Sequence, residues 1–166
     1  MIDDEVRGMA RKLFELLRAG NLKLVTAESC TGGLIAAAIT DIPGSSDVLE
    51  RGFITYSNAA KESDLGVPAQ TLSRHGAVSE ATARAMAEGA LNASPADLSV
   101  AVTGIAGPTG GSAEKPVGLV HFAAARRDGS VLHREVRFGD IGRSEVRRRS
   151  VVAAMALVEE ILNARR

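Results

Sequence analysis

The segment Thr26-Ala27-Glu28-Ser29-Cys30-Thr31-Gly32-Gly33 lies between an apolar run, Leu22 to Val25, and an alanine-rich run that begins at Leu34. It reads as a sharp turn from a short buried strand into a helix. Such a turn exposes a side chain at the carboxyl end of a strand. It also points the free N–H groups of a helix N-terminus into the same space. A nucleophile beside an oxyanion or anion site needs that geometry. The plainer reading is a helix cap with glycines for a tight turn. Cys30 is a second candidate nucleophile, ranked below Ser29 because a lone cysteine among alanines packs inward more often than it reacts.

A serine hydroxyl needs a base to remove its proton. His121 and His133 fall inside apparent strands, and His75 precedes Gly76 in a loop; none has the context of a triad member. Lysine is the other activator of serine, and the chain has only four lysines against sixteen arginines. Lys12 and Lys23 fit a solvated helix and a strand edge, and Lys115 lies in a glycine-rich loop. Lys61 sits on a short helix that follows a strand ending at Tyr56, the only tyrosine. A free lysine has a pKa of about 10.4 and works as a base only when burial or a nearby cation lowers it. Tyr56 is a candidate proton relay between Ser29 and Lys61. On residue pattern alone, a surface helix lysine is the favoured reading of Lys61.

Two further features bear on binding. Thr103-Gly104-Ile105-Ala106-Gly107-Pro108-Thr109-Gly110-Gly111 resembles a cradle of backbone amides for an anion. It has neither the Gly-Lys-Ser/Thr ending of a P-loop nor the GxGxxG spacing of a dinucleotide fingerprint. Arg143, Arg147, Arg148 and Arg149 open the last helix. They cannot all share one face, so most are expected in solvent, with one near the N-terminus reaching a phosphate. No metal site is expected: there is no His-x-x-x-His pair and the acidic residues are dispersed.

The elements that position these groups follow from periodicity. Val6, Met9, Leu13, Leu16 and Leu17 predict a first helix stopping near Gly20. Strands are predicted at Leu22 to Val25, Gly52 to Tyr56 and Leu98 to Val102. A hairpin is predicted from Val117–Ala125 and Val131–Phe138, turning at Arg127-Asp128-Gly129. Helices are predicted from about Thr31 to before Pro43, from a cap at Asn58 to near Gly66, from Ser79 to about Leu91, and from Asp140–Arg143 to the end. Strands alternating with helices, then a hairpin, give an α/β fold: a single three-layer α/β/α domain with a mixed sheet spanning residues 1–166. Three polar clusters then share the carboxyl edge of the sheet, where ligands of open α/β sheets bind.

Composition narrows the function classes. The 166 residues are 45% hydrophobic and 24% charged with zero formal net charge, which argues against nucleic acid as the main partner. Aromatic residues amount to 3% with no tryptophan, so a base-stacking platform is not expected. One cysteine excludes an internal disulfide and a cysteine-based zinc cluster. No segment suits a membrane span, and the acidic start is no signal peptide, so a cytoplasmic protein is expected.

Several segments in order carry a family resemblance. They are Ala27-Glu28-Ser29-Cys30-Thr31-Gly32-Gly33, Pro43-Gly44-Ser45-Ser46, Thr55-Tyr56-Ser57-Asn58, His75-Gly76-Ala77-Val78-Ser79, Ala101-Val102-Thr103-Gly104-Ile105-Ala106-Gly107-Pro108 and Lys115-Pro116-Val117-Gly118. Over about residues 5 to 163 the chain resembles the CinA C-terminal domain family. Members are named for competence and damage induction, and many act as nicotinamide mononucleotide amidases; some carry an additional nucleotide-pyrophosphatase domain. The resemblance implies a stand-alone amidohydrolase that releases ammonia and nicotinate mononucleotide, with no cofactor and no metal. It implies Ser29 as nucleophile with Tyr56 and Lys61 as catalytic partners. It implies substrate binding by Ser45, Thr103, Gly104 and Arg143, while the backbone N–H groups of Thr31, Gly32 and Gly33, or of Gly104, are expected to hold the substrate's oxyanion. The implied partners are the mononucleotide and further copies of the chain in a homo-oligomer such as a dimer. Three departures stand out: Asn58-Ala59-Ala60-Lys61 replaces Asn-Glu-Ala-Lys, Gly107-Pro108-Thr109-Gly110 replaces Gly-Pro-Gly-Gly, and Gly139-Asp140-Ile141-Gly142-Arg143 stretches Gly-Asp-Arg. The competing function is a non-catalytic module that binds a nucleotide or a protein in competence or DNA repair.

Overall fold

In a computed structural model, which describes residues 1–164, five strands form one mixed sheet between two helical layers. The order along the chain is α1 (Asp4–Ala19), β1 (Leu24–Glu28), α2 (Leu34–Thr40), a 3-10 turn (Ser45–Asp47), β2 (Leu49–Ile54), α3 (Asn58–Leu65), α4 (Ala69–His75), α5 (Glu80–Asn92), β3 (Leu98–Gly104), β4 (Leu119–Arg126), β5 (Val131–Arg137) and α6 (Arg143–Asn163). Across the sheet the order is β2-β1-β3-β4-β5. β1 pairs in parallel with β2 and β3, while β3–β4 and β4–β5 are antiparallel. The carboxyl ends of three parallel strands therefore meet at one edge, as the alternation of elements predicts. No helix among the described residues is long and apolar enough to cross a membrane.

Side-chain size separates the two faces. Leu24, Leu98, Val100, Val102, Val120 and Phe122 point to the layer of α1, α2 and α6. On the other face Ala27, Ala101, Ala123 and Ala125 meet Ala83, Ala87 and Ala90 of α5. Small residues on both sides let α5 lie close to the sheet. At Gly89 of α5 an added Cβ would stand 1.9 Å from the Leu65 carbonyl oxygen, so only glycine admits α3 there.

The observed boundaries shift where local chemistry dictates. β1 runs on to Glu28, because Thr26, Ala27 and Glu28 pair fully with both neighbouring strands. α2 starts at Leu34 rather than near Thr31, since Gly32 and Gly33 take positive φ (60° and 98°) and delay helical geometry. Ser57, not Asn58, caps α3: its hydroxyl accepts the Ala60 amide at 3.0 Å.

Candidate active site

Ser29 follows the last residue of β1, and its amide is anchored to the Val102 carbonyl at 3.0 Å. Its side chain is buried and opens on a cleft of about 260 Å³ at the carboxyl edge of the sheet. Lys61 reaches the same point from α3 and is 1% exposed, the largest fully buried side chain among the described residues. Lys61 shares the inward face of a short amphipathic helix with Leu65, four residues on, while Ala59 and Glu62 face outward. Its Nζ lies 3.1 Å from Ser29 Oγ, 2.8 Å from the Thr55 carbonyl oxygen and 3.4 Å from that of Tyr56. Among the described residues no carboxylate forms an ion pair with it. Burial pulls its pKa below the ordinary lysine value, with a weak opposing push from Cys30.

These contacts satisfy lysine in either protonation state. An ammonium has three N–H donors for three oxygens. A neutral amine keeps two donors for the carbonyls and turns its lone pair to the Ser29 hydroxyl. The site thus contains a serine hydroxyl held against an amine whose charge is disfavoured.

Cys30 lines the cleft beside Ser29, but burial pushes its thiol up to about 12. A thiol so rarely ionised is a poor nucleophile. Tyr56 stands at the cleft mouth, 60% exposed. Its hydroxyl accepts from Arg143 at 3.0 Å and has no bond to Ser29 or Lys61, so the expected relay geometry is not present. Arg143 also donates to the Gly107 carbonyl at 3.0 Å, joining the strand-end loop to the glycine-rich loop across the cleft. Thr103 and Gly104 line the cleft wall; the Thr103 hydroxyl donates to the Ala77 carbonyl at 2.7 Å. Gly104 has no room for a side chain, since a Cβ would come within 2.7 Å of Val120.

Thr31, Gly32, Gly33 and Ser45 fall outside the cleft lining. The Thr31 hydroxyl and the amides of Gly32 and Gly33 are occupied in folding the turn. The Thr31 hydroxyl (2.6 Å) and the amides of Gly33 and Ile35 (both 3.1 Å) converge on Glu28 Oε2, and the Ala36 amide meets Oε1 at 3.0 Å. The Gly32 amide goes to the Ser29 carbonyl. Ser45 sits ahead of β2, next to the residue whose carbonyl accepts Lys23, at the amino ends of the strands. The opposite edge of the sheet carries Ser29.

Arg143 and Arg149 are exposed, as expected for most of the cluster, whereas Arg147 and Arg148 are half-buried. Arg143 lines the cleft, Arg147 one turn on reaches the carbonyls behind Ser29, and Arg148 pairs with Glu145, Glu5 and Asp3. Arg149 pairs with Glu145. Arg147 was not singled out by pattern, although its four-residue spacing from Arg143 marks a shared face. Glu28 was quoted only within a motif. Its signal was an acceptor placed just before a glycine-delayed helix start. His75 is exposed, and its carbonyl accepts Lys115. His121 and His133 bond each other at 3.0 Å, away from the cleft lining.

An α/β sheet with a buried serine–lysine contact at its carboxyl edge defines the class of site. The chain belongs to the CinA C-terminal domain family, whose model matches residues 6–162. It is 49% identical over 156 residues to the nicotinamide-nucleotide amidohydrolase PncC of Escherichia coli K12, covering 93% of each chain. It is 54% identical over 154 residues to a competence-damage inducible protein of Symbiobacterium thermophilum, covering 89% of this chain and 36% of that longer protein. Thus it spans about a third of the competence-damage relative and nearly all of the amidohydrolase. The solved structure of the competence/damage inducible protein CihA from Agrobacterium tumefaciens superposes with a TM-score of 0.95 at 53% identity, covering 99% of both chains. A CinA-superfamily protein from Klebsiella pneumoniae gives 0.90 at 37% identity, covering 95% of this chain and 97% of that one.

Proposed function

We propose that this chain is a nicotinamide-nucleotide amidohydrolase that uses Ser29 as nucleophile and Lys61 as general base. The observation that carries the reading is the 3.1 Å contact between Ser29 Oγ and a buried lysine amine with a lowered pKa. Likeness to PncC over nearly its full length supports the substrate.

In this mechanism Ser29 Oγ attacks the carboxamide carbon and its proton passes to Lys61 Nζ. Backbone amides beside Ser29 take the charge that develops on the carbonyl oxygen. As the tetrahedral intermediate collapses, the C–N bond breaks. The Lys61 ammonium returns its proton to the leaving nitrogen, which departs as ammonia. Water then attacks the acyl-enzyme, gives one proton to Lys61, and the restored Ser29 hydroxyl takes it back. Arg143, held at the mouth by Tyr56 and Gly107, meets the phosphate as a charge-assisted donor. Thr103 and Gly104 form the wall that orients the substrate, and Tyr56 supports both Arg143 and, through its carbonyl, Lys61.

The test is ammonia release when purified protein meets nicotinamide mononucleotide, with Ser29→Ala as control. Release by the parent and none by a folded Ser29→Ala variant is the expected outcome. Tight binding of the nucleotide without ammonia would instead favour a binding module. Loss of activity in Cys30→Ala rather than Ser29→Ala would transfer the nucleophile role to the thiol.

A further inference from the structure

Arg147 reaches from α6 to the turn that carries Ser29. Its Nε donates to the Cys30 carbonyl at 3.1 Å, and a terminal nitrogen donates to the Thr31 carbonyl at 3.2 Å. Glu28 grips the same turn through its opposite polarity, accepting the Thr31 hydroxyl and the Gly33 amide. A cation therefore holds the carbonyls of the turn while a carboxylate holds its donors.

This clamp selects which amides remain for chemistry. From Ser29 to Gly33, the amide of Ser29 goes to Val102, that of Gly32 to Ser29 and that of Gly33 to Glu28. Among the described residues no carbonyl or carboxylate takes the amides of Cys30 and Thr31. The Thr31 amide belongs to the same peptide unit as the Cys30 carbonyl. A guanidinium on that carbonyl polarises the unit and strengthens its N–H as a donor. Arg147 itself is outside the cleft lining, unlike Arg143.

We propose that Arg147 is a positioning residue: it fixes and polarises the Cys30–Thr31 peptide so that an oxyanion-binding amide stands beside Ser29 Oγ. The inference rests on the reading of Ser29 as nucleophile. It predicts a role in kcat and none in recognition of the phosphate. Lysine in this place keeps the charge but lacks the planar fork that spans the Cys30 and Thr31 carbonyls, and methionine removes both bonds.

The experiment compares the parent with Arg147→Lys and Arg147→Met by three readouts. One is the rate at which a fluorophosphonate labels Ser29, which reads the nucleophile and its oxyanion site without any nicotinamide. The others are kcat and KM for the mononucleotide across pH, and the thermal unfolding midpoint. Removal of a direct oxyanion donor costs about 10²–10³ in kcat; loss of its support through Arg147→Met should slow labelling and kcat by about 10–100-fold. KM should stay within about threefold, and the acidic limb of the pH profile should not move, because Lys61 is untouched. Arg147→Lys should fall between the two. Parent-like labelling and kcat in either folded variant would overturn the proposal. So would a loss confined to KM for the mononucleotide and absent for the phosphate-free riboside, which would make Arg147 a phosphate ligand. If Arg147→Met does not fold, Arg147→Lys decides, since it retains the cation. A parent protein that labels at Ser29 but releases no ammonia removes the proposed substrate and leaves the clamp to be judged on labelling. A parent protein that does not label at Ser29 overturns both.

Discussion

Glu28→Gln is the substitution whose consequence follows most directly from the coordinates. The carboxylate is fully buried and accepts four hydrogen bonds, three at Oε2 and one at Oε1. Glutamine has the same shape but only one acceptor atom. With its oxygen in the place of Oε2, the bonds to Thr31, Gly33 and Ile35 survive without charge assistance. Bonds to a charged group contribute about 1.5–3 kcal/mol net and neutral ones about 0.5–1.5, so three weakened bonds cost about 3–4.5 kcal/mol. The amide nitrogen then faces the Ala36 N–H, donor against donor, which costs about 1–3 kcal/mol more. These are net values against water, so desolvation of the carboxylate is already counted. A total of about 4–7 kcal/mol lowers the midpoint of a protein this size by on the order of 10–20 °C. Urea unfolding followed by circular dichroism gives the free energy, and calorimetry the midpoint. A Glu28→Gln protein within about 1 kcal/mol of the parent would refute the claim that this carboxylate ties the turn to α2.

Four other outcomes are expected. Lys61→Arg should lose about 10²–10⁴ in kcat, because arginine stays protonated and cannot accept the serine proton; a variant retaining most activity would make Lys61 an electrostatic anchor. Burial lowers the pKa of Lys61 in the folded state, so the unfolded chain binds more protons between the two pKa values. Stability therefore rises with pH through that window toward about 10.4 and falls as pH drops through the folded value; Lys61→Met should flatten this slope in unfolding measured against pH. Arg143→Ala should weaken the mononucleotide by about ten- to a hundredfold while sparing the nucleoside, as calorimetry on both ligands would show. With its thiol pushed up to about 12, Cys30 should resist iodoacetamide in the folded protein at neutral pH and react only on unfolding; mass spectrometry distinguishes the two.

The sheet and its helices were legible because each element repeats its own period and the breaks carry glycine or proline. The turn at Ser29 was legible for the same reason. Lys61 was not legible as a base from its neighbours in sequence, which are exposed; its burial comes from Ser29, Thr55 and α5, brought in by the fold. Family resemblance suggested Ser45, but the direction of β2 puts it at the far edge. The arginines of α6 looked solvated because Asp3 and Glu5, partners of Arg148, lie at the other end of the chain. Free helix-end amides bind anions, which marks Thr31, Gly32 and Gly33 in sequence; in the fold the Gly33 amide and the Thr31 hydroxyl turn instead to the protein's own Glu28.

The dependence of the Ser29 turn on α6 also sets a timetable. Arg147 and Cys30 meet across 117 positions of sequence, and α6 is anchored by residues as late as Val158 and Ile161. Domains assemble behind a ribosome that adds about 5–20 residues per second. The strand, turn and lysine of the site emerge first but stay without the α6 arginines until residues 143–161 have left the exit tunnel. Contacts so distant in sequence also form late in folding. A nascent chain whose α6 is still inside the tunnel therefore lacks the arginine clamp on the Ser29 turn, and the site is complete only once Arg143 and Arg147 have docked.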